Sequence, residues 1–185
     1  MIHRMTTATA HAPVGEPART GPLVLPWPGF GTSCLFRIFA TREEWLQALE
    51  DLQLTATVPE IVAAKYARTM RLYRLAWWEP DVIKAAEVAA FAALELALRD
   101  RFGRRRLALQ LQGLVRDHGL SDRDLPSIVA VRGTAVARLT GESTPSLAQL
   151  RNALAHGDPF ESGPLVGLIP LIRDLIDFAY TRRPL

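Results

Sequence analysis

The most constraining feature of this sequence is an alanine-rich stretch that predicts one long helix. The helix is expected to open at Glu79-Pro80 and to continue to about Phe102, where Gly103 follows as a C-cap. Seven alanines lie between residues 85 and 98, and small side chains let a neighbouring helix come close. The stretch therefore predicts a long helix with at least one closely packed helical neighbour.

Further helices are predicted on both sides of this stretch. Thr41 and Glu44 match a capping box for a helix to about Leu52, and Thr57 and Glu60 match a second one for a helix to about Trp78. Later helices are expected from the arginine run 104–106 to about residue 119, from 144 to 156, and from 164 to 181, with a broken helix over 126–143. With one short strand near residues 33–40, the pattern predicts an all-α bundle of five to seven helices.

Composition divides the chain into three parts. Residues 1–33 are rich in Thr, Ala, Pro and Gly without periodicity, which predicts an extended or flexible arm. Residues 34–57 form a strand–helix extension, and residues 58–182 form the helical domain. No internal repeat is visible.

Cysteine usage and hydropathy limit the function classes. Cys34 is the single cysteine, so the chain forms no internal disulfide and no cysteine-rich zinc site. The amino terminus lacks the apolar segment of a secretory signal, and the longest uncharged stretch, Thr20–Phe36, is interrupted by prolines and glycines. No histidine pair has metal-binding spacing with a carboxylate. We expect a soluble, cytoplasmic protein without a metal site or cofactor.

The positive charge comes almost entirely from arginine. The formal net charge is +3, and 20 of the 22 cationic side chains are arginines, whose planar fork suits phosphate. The alternative explanation is a GC-rich genome, in which arginine codons are frequent. The cations Lys65, Arg68, Arg71 and Arg74 share one face of a predicted helix, which is either a solvated face or a strip that contacts RNA.

One segment combines residues that can perform chemistry. Asn152 is the only asparagine of the chain, and His156 follows it by four residues, so both lie on one helix face. Arg151 flanks that face, whereas Leu150 and Leu154 point to the opposite, core-facing side. Arginine, asparagine and histidine side chains are therefore expected to project together from the last turns of one helix.

This segment resembles the HEPN superfamily, the higher eukaryotes and prokaryotes nucleotide-binding domains. Its ribonuclease members carry an arginine followed after four to six residues by a histidine, usually with a polar residue after the arginine. The string Leu-Arg-Asn-x-Leu-Ala-His-Gly at residues 150–157 fits this motif, and one more apolar helix follows it. The alanine-rich helix with Glu95 and Arg99 is similar to the second helix of the family. The resemblance covers residues 58–182.

The resemblance implies a homodimer in which two such motifs form a composite cleft, and it implies metal-independent cleavage of RNA. His156 would act as general acid–base, Arg151 would neutralise the phosphate, and Asn152 would bind the phosphate or the histidine ring. Glu95 would orient Arg151 or His156. The candidate RNA-binding cations are Arg68, Arg71, Arg104, Arg105 and Arg106. A toxin or a phage-defence effector is the role that fits this activity.

Two details concern the surroundings of the motif. Glu95 and Arg99 are four residues apart, so they are expected to pair on one helix face. Asp158 stands where family toxins controlled by a nucleotidyltransferase antitoxin carry a tyrosine, so modification at that position is not expected. An antitoxin or a defence-system protein is the partner class that a toxin or defence role implies, and Asp158 itself would tune His156 or cap the loop.

Two other function classes remain open. The same bundle without catalysis would be an RNA-binding or protein-interaction module, with the arm 1–33 bound to a partner. A nucleotide-binding regulatory domain would use Arg151, Asn152 and the run 104–106 for phosphates, although the sequence has no glycine-rich phosphate loop.

Overall fold

The computed structural model describes residues 21–27, 36–156 and 164–181. Within them the chain is almost entirely helical, with one small two-stranded sheet. The eight helices are α1 Arg42–Glu50, α2 Glu60–Leu75, α3 Val82–Phe102, α4 Leu107–Arg116, α5 Pro126–Ala130, α6 Val136–Thr140, α7 Leu147–His156 and α8 Leu168–Thr181. The predicted all-α class is confirmed. The predicted count of five to seven helices is too low by at least one, because the region 126–143 contributes two helices of five residues each.

The predicted long helix, α3, lies at the centre of the molecule. It packs against α2, α4, α7 and α8. Ala86, Ala90, Ala93 and Ala97 are fully buried on one of its sides, as expected for a helix with close neighbours. Gly103 ends it with a φ of 76° and donates its N–H to the carbonyl of Arg99. A helix with no wide polar face is stable only when it is enclosed in this way.

The two predicted capping boxes have different outcomes. Thr41 accepts the N–H of Glu44, and the Glu44 carboxylate accepts the N–H of Ala40, so α1 begins where predicted. For α2 the predicted box is wrong, because Pro59 is the N-cap and makes no side-chain hydrogen bond. The hydroxyl of Thr57 instead bonds that of Thr55, which is itself held by Asp177 of α8. A tertiary contact thus replaces the local cap.

Part of the predicted amino-terminal arm belongs to the folded body. β1 Leu23–Pro26 pairs in antiparallel fashion with β2 Phe36–Phe39, and Leu23 lies opposite Phe39. Trp27, Phe39 and Trp45 pack edge to face, and Trp45 stacks on Tyr73 of α2. The indole N–H of Trp45 donates to the Tyr73 carbonyl at 2.9 Å. The rest of the arm lies outside the described residues.

None of the helices in the described ranges is both long enough and apolar enough to cross a membrane.

Candidate functional site

The candidate site lies on α7, and the sequence around Ser146 explains where this helix begins. The hydroxyl of Ser146 accepts the N–H of Gln149 at 3.2 Å, and the Gln149 side chain accepts the N–H of Ser146 at 2.8 Å. This reciprocal capping box starts α7 at Leu147, later than the predicted opening at Thr144-Pro145. The Ser-x-x-Gln pattern is visible in the sequence and was the signal that the prediction missed.

The apolar face of α7 fixes which side chains remain available. Leu147 is fully buried, and Leu150 and Leu154 pack against the core, as predicted. Arg151 is therefore half-buried at the flank of this face, whereas Asn152 and His156 are exposed.

The guanidinium of Arg151 is held from two sides. Its Nε donates to Glu95 Oε1 of α3 at 2.5 Å, and its Nη1 donates to Asn152 Oδ1 at 3.2 Å. A guanidinium has five N–H donors, so three remain beyond these two contacts with the described residues. The fork therefore has a fixed orientation and can still donate to an anion.

A small open pocket lies beside this pair, between α3 and α7. Its volume is about 110 Å³. Its lining consists of Val88, Phe91, Ala92 and Glu95 from α3 and of Arg151, Leu154 and Ala155 from α7. The walls are mostly apolar, and the two charged side chains stand at one side. The pocket is smaller than the roughly 300 Å³ or more of a typical small-molecule site, so it has room only for a small group.

His156 is the last residue of α7 and lies one turn beyond Asn152. Five residues separate it from Arg151, which places the two side chains about 140° apart around the helix. Among the described residues, the hydrogen bonds join Glu95, Arg151 and Asn152, and His156 stands outside that group. One chain thus presents a positioned guanidinium and, separately, an exposed imidazole. Asp158 lies outside the described residues.

The predicted pair between Glu95 and Arg99 is wrong. Glu95 turns toward α7 and binds Arg151, which lies 56 residues away in the chain, and Arg99 is left exposed one turn further along α3. Arg99 therefore does not support the orientation of Glu95.

The predicted RNA-binding cations are all on the surface. Arg68 and Arg71 are exposed on α2. Arg104, Arg105 and Arg106 are exposed as well, but they precede α4 instead of forming its first turn, because that helix begins at Leu107.

A second carboxylate of α3, Glu87, is fully buried and was not identified as a site residue from the sequence. Glu87 accepts the N–H of Leu165 and the ammonium of Lys84, the latter at 3.1 Å. Burial raises the pKa of this carboxyl, and the two hydrogen-bond donors offset only part of that effect. Because Leu165 precedes α8, Glu87 fixes the approach of the chain to that helix. Its spacing of eight residues from Glu95 was the only sequence signal.

In the described parts of the chain, no group of three or more His, Cys, Asp and Glu side chains is arranged to hold a metal ion. Comparison with protein-family models, with curated proteins and with solved structures finds no match for this chain.

Proposed function

We propose that this protein is a HEPN-like endoribonuclease that cleaves RNA without a metal ion, at a site shared by two copies of the chain. The proposal rests on the motif that ends at His156 and on one structural observation. That observation is the double anchoring of Arg151 by Glu95 and Asn152 beside an open pocket. A solvent-exposed arginine is normally mobile, whereas this one is oriented before any ligand arrives.

The reaction uses the ribose of the substrate as its nucleophile. The 2′-oxygen attacks the adjacent phosphorus, its proton passes to a general base, and the bond from phosphorus to the 5′-oxygen breaks. A general acid gives a proton to the departing 5′-oxygen, and a 2′,3′-cyclic phosphate remains. A neutral imidazole accepts a proton and a protonated one donates it, which assigns the two transfers to two copies of His156. DNA is not a substrate because it lacks the 2′-hydroxyl.

Arg151 neutralises the charge that develops on the non-bridging phosphate oxygens. The guanidinium fork matches two such oxygens, and its stabilisation is strongest where water is excluded. Glu95 and Asn152 act as positioning residues in this scheme. The negative charge of Glu95 partly cancels the positive charge of Arg151. Hydrogen bonds from the oriented guanidinium therefore contribute more to the binding of the phosphate than electrostatic attraction at longer range does.

The homodimer supplies what one chain lacks. A single motif presents one imidazole, whereas the reaction needs both a base and an acid. Two α7 helices facing each other would bring two copies of His156 and two of Arg151 to one cleft. The exposed position of His156 at the end of α7 is compatible with this arrangement.

The test is a digest of total RNA in the presence of EDTA. We expect the wild-type protein to cleave, His156→Ala and Arg151→Ala to be inactive, and all three to unfold at similar temperatures. Arg116→Ala, which removes an exposed arginine from α4, is the matched control and should retain activity. Full activity of a folded His156→Ala protein would refute the proposal.

A second candidate function is a non-catalytic protein-interaction module. It is favoured by the outer face of the sheet, where the cross-strand neighbours Val24 and Ile38 are 50% and 65% exposed. Contiguous exposed apolar patches often mark protein-interaction surfaces. This candidate predicts that wild-type protein cleaves no RNA and that Ile38→Lys abolishes binding to a protein partner. Cleavage that depends on His156 would decide against it.

A further inference from the structure

The segment that spans the end of α3 and the turn after it carries the densest positive charge in the chain. Residues 99–106 contain five arginines and one aspartate. Short arginine-rich runs of this kind are typical of surfaces that bind nucleic acids. Where these side chains lie relative to Arg151 decides whether the charge has a role in the proposed reaction.

Two of the charged residues in this run are used within the fold. Asp100 accepts the hydroxyl of Tyr180 at 2.8 Å, and Arg101 donates to the carbonyl of Ala179 and covers the Tyr180 ring. Both contacts are made with α8, so they stabilise the packing of α8 on α3. The Asp100 carboxylate is thus bound by Tyr180, and within the described residues it forms no ion pair with an arginine.

The other four arginines, Arg99, Arg104, Arg105 and Arg106, are exposed. None of them forms an ion pair with any residue in the ranges that the structure describes. Four neighbouring cations without a carboxylate partner repel one another, and such a cluster is stabilised by a polyanion.

Arg99 connects this cluster to the candidate site. It lies four residues after Glu95, so it shares the face of α3 that holds Arg151, about 6 Å further along the helix axis. The pocket residues Val88, Phe91 and Ala92 lie on this same face. By the same helical arithmetic, the buried alanine stripe is about 180° away. Arg99 thus continues the line from the Arg151 pocket toward the end of α3, and the exposed Arg104, Arg105 and Arg106 follow that end directly in the chain.

The turn after α3 holds the cluster in place. Gly103 adopts a φ of 76° and a ψ of −179°, and its carbonyl accepts the side-chain amide of the buried Gln110 at 2.9 Å. Arg106 is extended and serves as the N-cap of α4. The backbone that carries the three consecutive arginines is therefore anchored at both ends.

We propose that Arg99, Arg104, Arg105 and Arg106 form a track for the phosphodiester backbone of an RNA strand whose scissile phosphate lies at Arg151. This inference rests on the proposed function and extends it, because it states the direction in which the strand leaves the site, along α3 toward Gly103. Arg68 and Arg71 lie on a different helix, α2, and are not included in the proposed track.

The test measures binding of an oligouridylate in which every 2′-hydroxyl is methylated, so that cleavage cannot occur. Affinity is followed by fluorescence anisotropy over a series of salt concentrations. The slope of the logarithm of the association constant against the logarithm of the salt concentration reports the number of phosphate contacts. Each contact on a single strand contributes about 0.7, so we expect the double variant Arg104→Gln/Arg105→Gln to lower the magnitude of the slope by about 1.4. Arg116→Gln/Arg123→Gln changes the net charge equally and should leave the slope unchanged.

The outcomes separate the track from the nuclease. An unchanged slope for Arg104→Gln/Arg105→Gln, or a loss only for Arg68→Gln/Arg71→Gln, would overturn the track while leaving catalysis intact. A reduced slope in a protein that never cleaves RNA would support the track and refute the nuclease. Failure of the wild-type protein to bind the oligonucleotide would overturn the track. That result would favour an acidic protein as the ligand of the arginine cluster.

Discussion

The ion pair between Arg151 and Glu95 has more consequence for ligand binding than for stability. Both side chains are partly exposed, at 35% and 23%, so solvent screens their attraction. Pairs of this kind contribute at most about 1 kcal/mol to the free energy of unfolding. The same contact fixes the direction of a guanidinium, which matters greatly for the binding of a phosphate.

We therefore predict that Glu95→Gln separates the two effects. The amide keeps an oxygen that can accept from Arg151 Nε but removes the charge that holds it. The free energy of unfolding should fall by about 1 kcal/mol or less, as measured by urea denaturation. Cleavage of RNA should fall by about tenfold or more, since a misplaced catalytic group commonly costs that much.

Glu44→Gln is the control for Glu95→Gln, because it changes a capping carboxylate of α1 far along the chain from α7. It should alter stability to a similar extent and leave cleavage unchanged. Equal losses of cleavage in both variants would show that Glu95 has only a structural effect.

The buried Glu87 predicts a pH dependence of stability. Its pKa in the folded protein is raised, chiefly by burial, above the ordinary value of 4.5. The folded state then binds the proton more tightly than the unfolded chain, so stability falls as pH rises through the folded-state pKa. We predict that the unfolding free energy of the wild type, relative to Glu87→Gln, decreases from acidic pH toward neutrality. Urea denaturation at several pH values measures this, and a relative stability that rises with pH would contradict it.

Residue types were easier to predict from the sequence than their partners. The motif on α7 was found because its spacing is local and Asn152 is unique in the chain. The predicted pairing of Glu95 with Arg99 was wrong because helical spacing identifies only neighbours on the same helix. The Glu95 carboxylate binds Arg151, which lies on another helix. Glu87 was missed for the same reason, since its backbone partner is 78 residues away.

At the scale of the element, Gly103 was predicted to end α3, and its backbone conformation explains why a glycine stands there. The dihedral angles of Gly103 lie in a region that is essentially restricted to glycine. A Cβ there would meet no atom within 4 Å, so the requirement for glycine comes from the backbone and not from crowding.

We predict opposite effects for two glycine-to-alanine substitutions. Gly103→Ala should destabilise the fold by about 1–3 kcal/mol, because alanine is strained at this φ and ψ. Gly113→Ala, inside α4, should stabilise it by about 0.5–1 kcal/mol, because the helix loses a flexible residue. An added Cβ at Gly113 meets only the side-chain oxygen of Asp117, at 3.3 Å, and this side chain can move. Thermal unfolding measures both, and equal effects would contradict the backbone explanation.

Helix boundaries show what capping patterns can and cannot reveal. Thr41 and Ser146 both cap their helices through local hydrogen bonds. Thr57 has the same local pattern and does not cap α2, because the hydroxyls of Thr55 and Thr57 form a cluster with Asp177 of α8. Local signals therefore predict a boundary only where no distant side chain competes for the same groups.

At the scale of the whole molecule, the all-α class was predictable and the position of the hairpin was not. Helical periodicity is a short-range pattern, which one sequence contains in full. The pairing of β1 with β2 and their packing on Trp45 join segments with different compositions. The proline-rich composition around β1 concealed that Leu23 and Leu25 are core residues.

The placement of α3 unifies the two proposals. It carries Glu95, which positions Arg151, and it carries Arg99, from which the exposed arginines lead away. Its other side is buried against the bundle. One central helix thus connects the core, the candidate cleavage site and the candidate RNA track, so a shift of α3 would disturb all three together.

The most direct test of the central claim asks whether the 2′-hydroxyl of the substrate is the nucleophile and His156 its proton acceptor. An oligoribonucleotide cleaved by the protein in EDTA is compared with one that carries a single 2′-deoxynucleotide at the mapped cleavage position. We predict that the first yields a 2′,3′-cyclic phosphate end, that the second is not cut at that position, and that folded His156→Ala cuts neither. Cleavage at the deoxy position, or undiminished cleavage by His156→Ala, would contradict the account.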